Sequence, residues 1–194
     1  IADKRIFAKM FVMIEEEAIK MEQNILVQKV ADKTVIINPP FPLPAKGVID
    51  FIYDLPYTRL PHPKYKKRGI IPAYEMIKFS ITSHRGCFGG CSFCAITCHQ
   101  GKFVTSRTEK SIIKEIENIV NSKEFKGTIT DIGGPTANMY NMYGIKTELC
   151  QKCKRVSCLY PDICKNLNYD HKPLINIYKK VLSIPKVKHL YIGS

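Results

Sequence analysis

The chain has no tryptophan, and acidic side chains are scarce: 17 Asp and Glu stand against 30 Lys and Arg, a net charge of +13. It also lacks any unbroken apolar run of membrane-spanning length. Its amino-terminal segment is interrupted by Lys4, Arg5, Lys9 and Glu15 to Glu17, which excludes a signal peptide or a transmembrane helix there. The shortage of acid leaves a basic surface, densest at Lys64, Lys66, Lys67 and Arg68. Such a balance attracts anionic partners over long range, nucleic acid included. No nucleic-acid-binding motif accompanies it, so charge alone makes nucleic acid a secondary expectation and a membrane partner none. What the chain has in plenty is cysteine, with eight residues, seven of them in two tight groups. Grouped cysteines without a secretory segment indicate metal ligation in a reducing cytoplasm rather than disulfides. At 194 residues and 45% hydrophobic content, the chain is long enough for one main globular core.

The first group is Arg85-Gly86-Cys87-Phe88-Gly89-Gly90-Cys91-Ser92-Phe93-Cys94, a C-x3-C-x2-C pattern. Three thiolates satisfy three irons of a [4Fe–4S] cube, whereas an electron-transfer cluster is ordinarily held by four. The fourth iron is then open to a non-protein ligand. Gly89 and Gly90 let the backbone curl between the ligands. A zinc knuckle or a set of buried free thiols is the plainer alternative.

The second group is Cys150, Cys153, Cys158 and Cys164, with spacers of two, four and five residues. Four soft ligands in so short a stretch suit tetrahedral zinc or an additional iron–sulfur cluster. Lys152, Lys154 and Arg155 lie between them to offset thiolate charge. The paired C-x2-C knuckles of a zinc ribbon are absent, so the spacing leaves both metals open. Cys98 is left over and reads as a free thiol.

Periodicity organises the rest. Phe7, Phe11, Ile14, Ala18, Met21 and Ile25 recur at spacings of four and three, which predicts one helix over residues 3–30 whose apolar stripe docks on the protein. Thr34 to Ile37 reads as a short strand, stopped by a loop holding Pro39, Pro40, Pro42 and Pro44. Residues 48–71 read as an irregular connector. From there the pattern alternates: a strand at Met76 to Thr82, a helix at Thr108 to Asn121, a strand at Gly127 to Ile132, a helix at Pro173 to Leu182, and a strand at Val187 to Ile192. Strand–helix–strand–helix–strand implies parallel pairing and an α/β fold. Two parts are expected, residues 1–73 and residues 74–194, with a cysteine-rich insertion at about 145–166.

The cysteine run and its surroundings resemble the YgiQ-type radical S-adenosylmethionine (radical SAM) proteins. The resemblance is carried by Tyr57-Thr-Arg-Leu-Pro-His-Pro-Lys-Tyr65, by the run extended through Cys94-Ala-Ile-Thr-Cys-His-Gln-Gly101, by Ser106-Arg-Thr-Glu-Lys-Ser-Ile-Ile113, and by Asp131-Ile-Gly-Gly-Pro-Thr-Ala-Asn138. These span most of residues 50–194, and the first 45 residues add little. The resemblance implies a [4Fe–4S] cluster on Cys87, Cys91 and Cys94, with S-adenosylmethionine (SAM) chelated at the open iron. Reductive cleavage of SAM would then give methionine and a 5′-deoxyadenosyl radical that attacks a substrate the resemblance does not identify. A reductant such as a flavodoxin or ferredoxin is implied. Phe93 would lie beside the adenine, and Gly133-Gly134 at the methionine moiety. Pro135 stands where the family often has glutamate, so Thr136 or Asn138 is expected to supply the polar contact instead. No catalytic residue beyond the cluster ligands is implied.

Three strands cannot close a barrel, so the expected fold is a partial (β/α) radical SAM barrel truncated in its third strand. It would be preceded by the long helix and the connector, and such a fragment alone would be inactive. Two other function classes compete with the enzyme. A zinc-stabilised basic module predicts zinc at both cysteine sets and steeply salt-dependent nucleic-acid binding. A two-cluster electron carrier is disfavoured by the three-cysteine pattern.

Overall fold

The computed structural model describes residues 3–39, 44, 47–134 and 138–193. Seventeen regular elements follow one another: α1 (Lys4–Ala18), β1 (Leu26–Val30), β2 (Lys33–Ile37), α2 (Val48–Tyr53), α3 (Pro72–Ile77), β3 (Ser80–Thr82), β4 (His84–Arg85), α4 (Ile96–Gln100), β5 (Thr105–Ser106), α5 (Glu109–Val120), β6 (Thr128–Ile129), β7 (Asp131–Gly133), β8 (Tyr143–Gly144), α6 (Thr147–Gln151), β9 (Leu167–Asn168), α7 (Lys172–Leu182) and β10 (His189–Leu190), with a 3-10 turn at Pro63–Tyr65. They form two compact units that interleave along the chain. One comprises Ile1–Pro44, Gly86–Val104 and Met142–Tyr169, and the other Ala45–Arg85, Thr105–Asn141 and Asp170–Ser194. We call them the cysteine unit and the α/β unit. The boundary at residue 73 follows sequence pattern, whereas the units are assembled from separate segments.

In the α/β unit, β3 pairs in parallel with β7, and β10 in parallel with β6. Only Thr130 separates β6 from β7, so residues 128–133 are one strand path flanked on either side, and Thr130 N donates to Phe79 O at 3.2 Å. Helices α5 and α7 are the connections. Their inward residues Ile112, Ile116, Leu174, Ile177 and Val181 pack with Ile81, Ile129 and Ile132 in one core. The helix register is set by Thr108, whose Oγ1 accepts from Ser111 N at 3.2 Å as an N-cap. The fold class is thus α/β, and the described residues form no closed barrel. The expected first strand is shorter than the sequence suggested: Pro72 begins a helix that takes in Met76 and Ile77, and pairing starts at Ser80. Proline at a first helical position has its backbone preset for the helix and lacks only an N–H that would be unpaired there.

The expected connector is tied to this core by charge. Asp50 of α2 accepts from Thr108 N at 2.9 Å and Thr108 Oγ1 at 2.6 Å. Arg107 is fully buried, lies over the Tyr53 ring at 4.3 Å, and forms an ion pair with Glu115. Glu115 also pairs with Arg59, whose other nitrogen donates to Lys78 O and Ser80 O at 3.1 and 2.9 Å. Arg59 has a φ of +53°, a conformation uncommon for a non-glycine residue, and these bonds hold it. Tyr140 donates to Arg107 O at 2.9 Å, and burial pushes its phenol up to about 12.

In the cysteine unit, the predicted helix over 3–30 is replaced by a helix and a hairpin. Asp3 caps α1, accepting from Arg5 N at 2.8 Å, but the helix stops at Ala18. Glu17 is 7% exposed and bonds Lys20, Asn24 N and Asn24 Nδ2, which closes the chain into a turn. Burial alone would raise this carboxyl; the Lys20 and Asn24 hydrogen bonds outweigh it and lower it. Leu26–Val30 then pairs antiparallel with Lys33–Ile37, Leu26 opposite Ile37, through a two-residue loop. Met21 and Ile25 therefore lie outside the helix whose stripe they continued. Of the stripe, Phe7, Phe11 and Ile14 are exposed, and Ala18 is half-buried. Pro40 and Pro42 lie outside the described residues. Among the described residues, no helix is long and apolar enough to cross a membrane.

Removing Glu115 strands a buried guanidinium. Glu115→Ala is expected to lower the free energy of unfolding by about 3 kcal/mol. Lys114→Ala, which breaks only the exposed pair with Asp54 (2.8 Å), should cost no more than about 0.5 kcal/mol. Urea denaturation at neutral pH checks both, and equal small effects would contradict the role given to Glu115.

Candidate functional site

The first cysteine group occupies a loop of the cysteine unit that ends in α4. The loop is pinned at its base: Cys87 N donates to Gly101 O at 3.0 Å, Thr97 Oγ1 to Cys87 O at 3.0 Å, and Gly86 N to Gln100 Oε1 at 3.2 Å. Gln100 therefore has a structural task. Cys94 N donates to Cys91 O at 3.0 Å, which turns the chain between the last two cysteines. Cys87 is buried, Cys94 half-buried and Cys91 exposed. A Cβ on Gly89 would lie 3.3 Å from Cys87 Sγ and 3.6 Å from Cys91 Sγ, so two sulfurs face one side of that glycine. Gly89 N donates to Cys87 Sγ at 3.3 Å, the kind of N–H···S bond that steadies a cluster thiolate. Three thiols thus share one short loop, with the sulfurs of buried Cys87 and exposed Cys91 on one side of Gly89, and thiolate is the donor type that an iron–sulfur cluster takes. Phe93 is 91% exposed beside them. Cys98 is exposed, and burial of its sulfur with the nearby Glu15 and Cys94 pushes its thiol up.

The second group lies in the same unit. Residues 142–169 leave and return through the antiparallel pair β8–β9, with Tyr143 opposite Asn168. Between them Cys150, Cys153, Cys158 and Cys164 all line one cavity of about 430 Å³. Asn166 Nδ2 donates to Cys150 Sγ at 3.3 Å, and Lys102 Nζ lies 3.5 Å from Cys153 Sγ. Burial pushes the Cys150 and Cys158 thiols up, and the neighbouring cysteines add to it. No three His, Cys, Asp or Glu side chains among the described residues are drawn together as a finished metal-binding group. The two cysteine groups touch through the backbone: Cys158 N donates to Phe88 O at 2.9 Å. Gly90, at φ +60°, meets the Val156 carbonyl so closely that a Cβ would lie 2.6 Å from its oxygen.

Gly133 ends β7 in the α/β unit, and Gly134 follows it. Gly134 is there because of His84: a Cβ would fall 2.1 Å from His84 Nε2. His84 is fully buried, its Nδ1 is 2.9 Å from Ser83 Oγ, and its Nε2 accepts from Met139 N at 3.3 Å. It thus stands against Gly134 and holds the backbone at Met139. Asn138 Oδ1 is buried and has no hydrogen-bond partner among the described residues. Pro135 and Thr136 lie outside the described residues. His84 and Lys102 were not singled out by the sequence pattern. The only signal was position, His84 three residues before Cys87 and Lys102 directly after Gly101.

Residues 1–80 match the Radical SAM N-terminal family. Over its whole length the chain is 53% identical to a UPF0313 protein of Bacteroides thetaiotaomicron and 49% identical to one of Porphyromonas gingivalis. Over 99% of the chain it is 50% identical to a UPF0313 protein of Methanocella arvoryzae. It covers 31%, 30% and 32% of these relatives, so it spans about three-tenths of their length. No solved structure matches. UPF0313 is the YgiQ-type family, and the likeness to it read from the motifs holds along the entire chain. It includes the first 45 residues, which the motifs had left aside.

The close approach at Gly134 gives a direct check. Gly134→Ala must push the buried His84 ring aside and is expected to cost about 2 kcal/mol. Gly69→Ala, at φ +80° with nothing within 4 Å of the added carbon, should cost only the backbone strain of about 1 kcal/mol. Thermal unfolding of the two variants compares them, and an innocuous Gly134→Ala would contradict the placement of His84.

Proposed function

We propose that the protein is a radical SAM enzyme in which Cys87, Cys91 and Cys94 hold a [4Fe–4S] cluster. The observation that carries this reading is the convergence of Cys87 and Cys91 sulfurs on Gly89, in a loop where the Gly89 N–H already donates to sulfur. The likeness to the Radical SAM N-terminal family supports it independently. When bound, such a cluster supplies the electron that splits SAM into methionine and a 5′-deoxyadenosyl radical, the hard chemistry belonging to the cofactor.

The chain's own residues bind and shield. Cys87, deep in the loop, anchors the site, while exposed Cys91 and half-buried Cys94 close it. Phe93 offers an open aromatic face for the adenine. Gly133, Gly134 and Asn138, whose Oδ1 has no hydrogen-bond partner among the described residues, are the residues proposed for the methionine moiety of SAM. Thr136, outside the described residues, is the alternative polar contact. The parallel strands and helices of the α/β unit are the opening portion of a radical SAM barrel. The substrate is a molecule with an unactivated C–H bond, and the electron comes from a flavodoxin- or ferredoxin-type donor. The basic patch at Lys64 to Arg68 suits a nucleic-acid substrate. A zinc-stabilised binding module without catalysis is not favoured, given the family likeness.

The reading is tested on anaerobically reconstituted full-length protein with SAM and a strong reductant. Wild-type protein is expected to release 5′-deoxyadenosine, and Cys91→Ala to fall to the level of a protein-free control. Absence of product from wild type, or equal product from both, would sink it.

A further inference from the structure

Lys102 is the cation of the cysteine unit with the least water, at 2% exposed. Its ammonium donates to Arg155 O and stands 3.5 Å from Cys153 Sγ. Among the described residues no carboxylate lies within ion-pair distance of it. A buried charge is kept only where a counter-charge compensates it. Among the described residues that line this cavity, only the four cysteines can supply negative charge; the others are lysines, Asn166 and the apolar Phe103, Ile145 and Leu149. Sulfur supplies that charge when a metal is bound, since a coordinating thiol is deprotonated outright.

We propose that Cys150, Cys153, Cys158 and Cys164 hold a soft metal centre through four thiolates, with Lys102 as its buried counter-ion, and that this centre clamps the Cys87–Cys94 loop. Its ligand set is closed, as in structural sites, because the protein fills every position. The clamp is the backbone between the ligands. Cys158 N bonds Phe88 O at 2.9 Å, and the Val156 carbonyl sits against Gly90. Phe88 and Gly90 flank Gly89, on which Cys87 and Cys91 converge. Fixing Cys153 and Cys158 to one metal fixes the segment between them, and with it the curl of the first loop. Supporting groups of this kind tune metal affinity without touching the metal. The second half of the proposal rests on the radical SAM reading of the first loop; the metal at the second set does not.

The test is metal analysis and X-ray absorption on anaerobically purified full-length protein. Wild type should contain about one zinc, or about four irons beyond those of the first cluster, in an all-sulfur environment. Zinc identifies a mononuclear site and extra iron an auxiliary cluster; neither metal overturns the proposal. Cys153→Ser/Cys164→Ser should lose that centre and release first-loop iron to a chelator about tenfold faster. Lys102→Met, which keeps the volume and removes only the charge, should show the same direction if the double variant fails to fold. Loss of the second metal with first-loop iron held as firmly as in wild type would overturn the clamp. Cys91→Ala should keep the second metal, so a missing first cluster and a missing second site are told apart.

Discussion

A buried cation has to find its counter-charge inside the protein, and each unit of this chain buries one. In the α/β unit the requirement is met by side chains: Arg107 is enclosed by Glu115, the Ser111 hydroxyl, the Thr82 carbonyl and the face of Tyr53. The same glutamate takes Arg59, so one carboxylate joins the connector, β3 and α5. In the cysteine unit the requirement is met by carbonyl and sulfur alone. Lys102 therefore marks where charge is expected from a source other than a carboxylate, and four thiols are arranged around that place.

This difference separates what each unit is built to do. The α/β unit has an apolar core, with Ile112, Ile116, Ile129, Ile132, Ile177 and Val181 all free of water. Apolar burial of this kind drives folding without a ligand. The cysteine unit has few such residues. Its hairpin β1–β2 is largely exposed, and its buried set includes Cys87, Phe88, Thr97, Lys102 and Ser157 gathered around the cysteine loops. A unit with so little apolar core depends on hydrogen bonds for its order, and metal ligation at the cysteines, as proposed, would add to it.

Much of the α/β unit was legible because its signals are local. Isoleucines three and four apart set α5, Thr108 marked its start, and β-branched runs marked strands on either side of it. The amino-terminal helix failed for a local reason too. Met21 and Ile25 extend the apolar period past Ala18, but Glu17 captures Asn24 and turns the chain, and a period cannot register a single hydrogen-bonded side chain. Pro72 likewise converts Met76 and Ile77 from strand to helix end. At the site, the three-cysteine spacing and the glycine pair were readable. That the second cysteine set shares a unit with the first was not, since it depends on contacts about seventy residues apart, such as Cys158 N to Phe88 O. His84 and Lys102 escaped notice for the same reason, their roles arising only from what surrounds them.

The central claim is a [4Fe–4S] cluster with an open iron on Cys87, Cys91 and Cys94. EPR of the reduced, anaerobically reconstituted full-length protein, with and without SAM, tests it most directly. A cluster signal that disappears when these three cysteines are replaced, and that changes shape on addition of SAM, is the expected result. A signal indifferent to SAM, or a SAM-responsive signal retained in the absence of all three cysteines, would contradict the account.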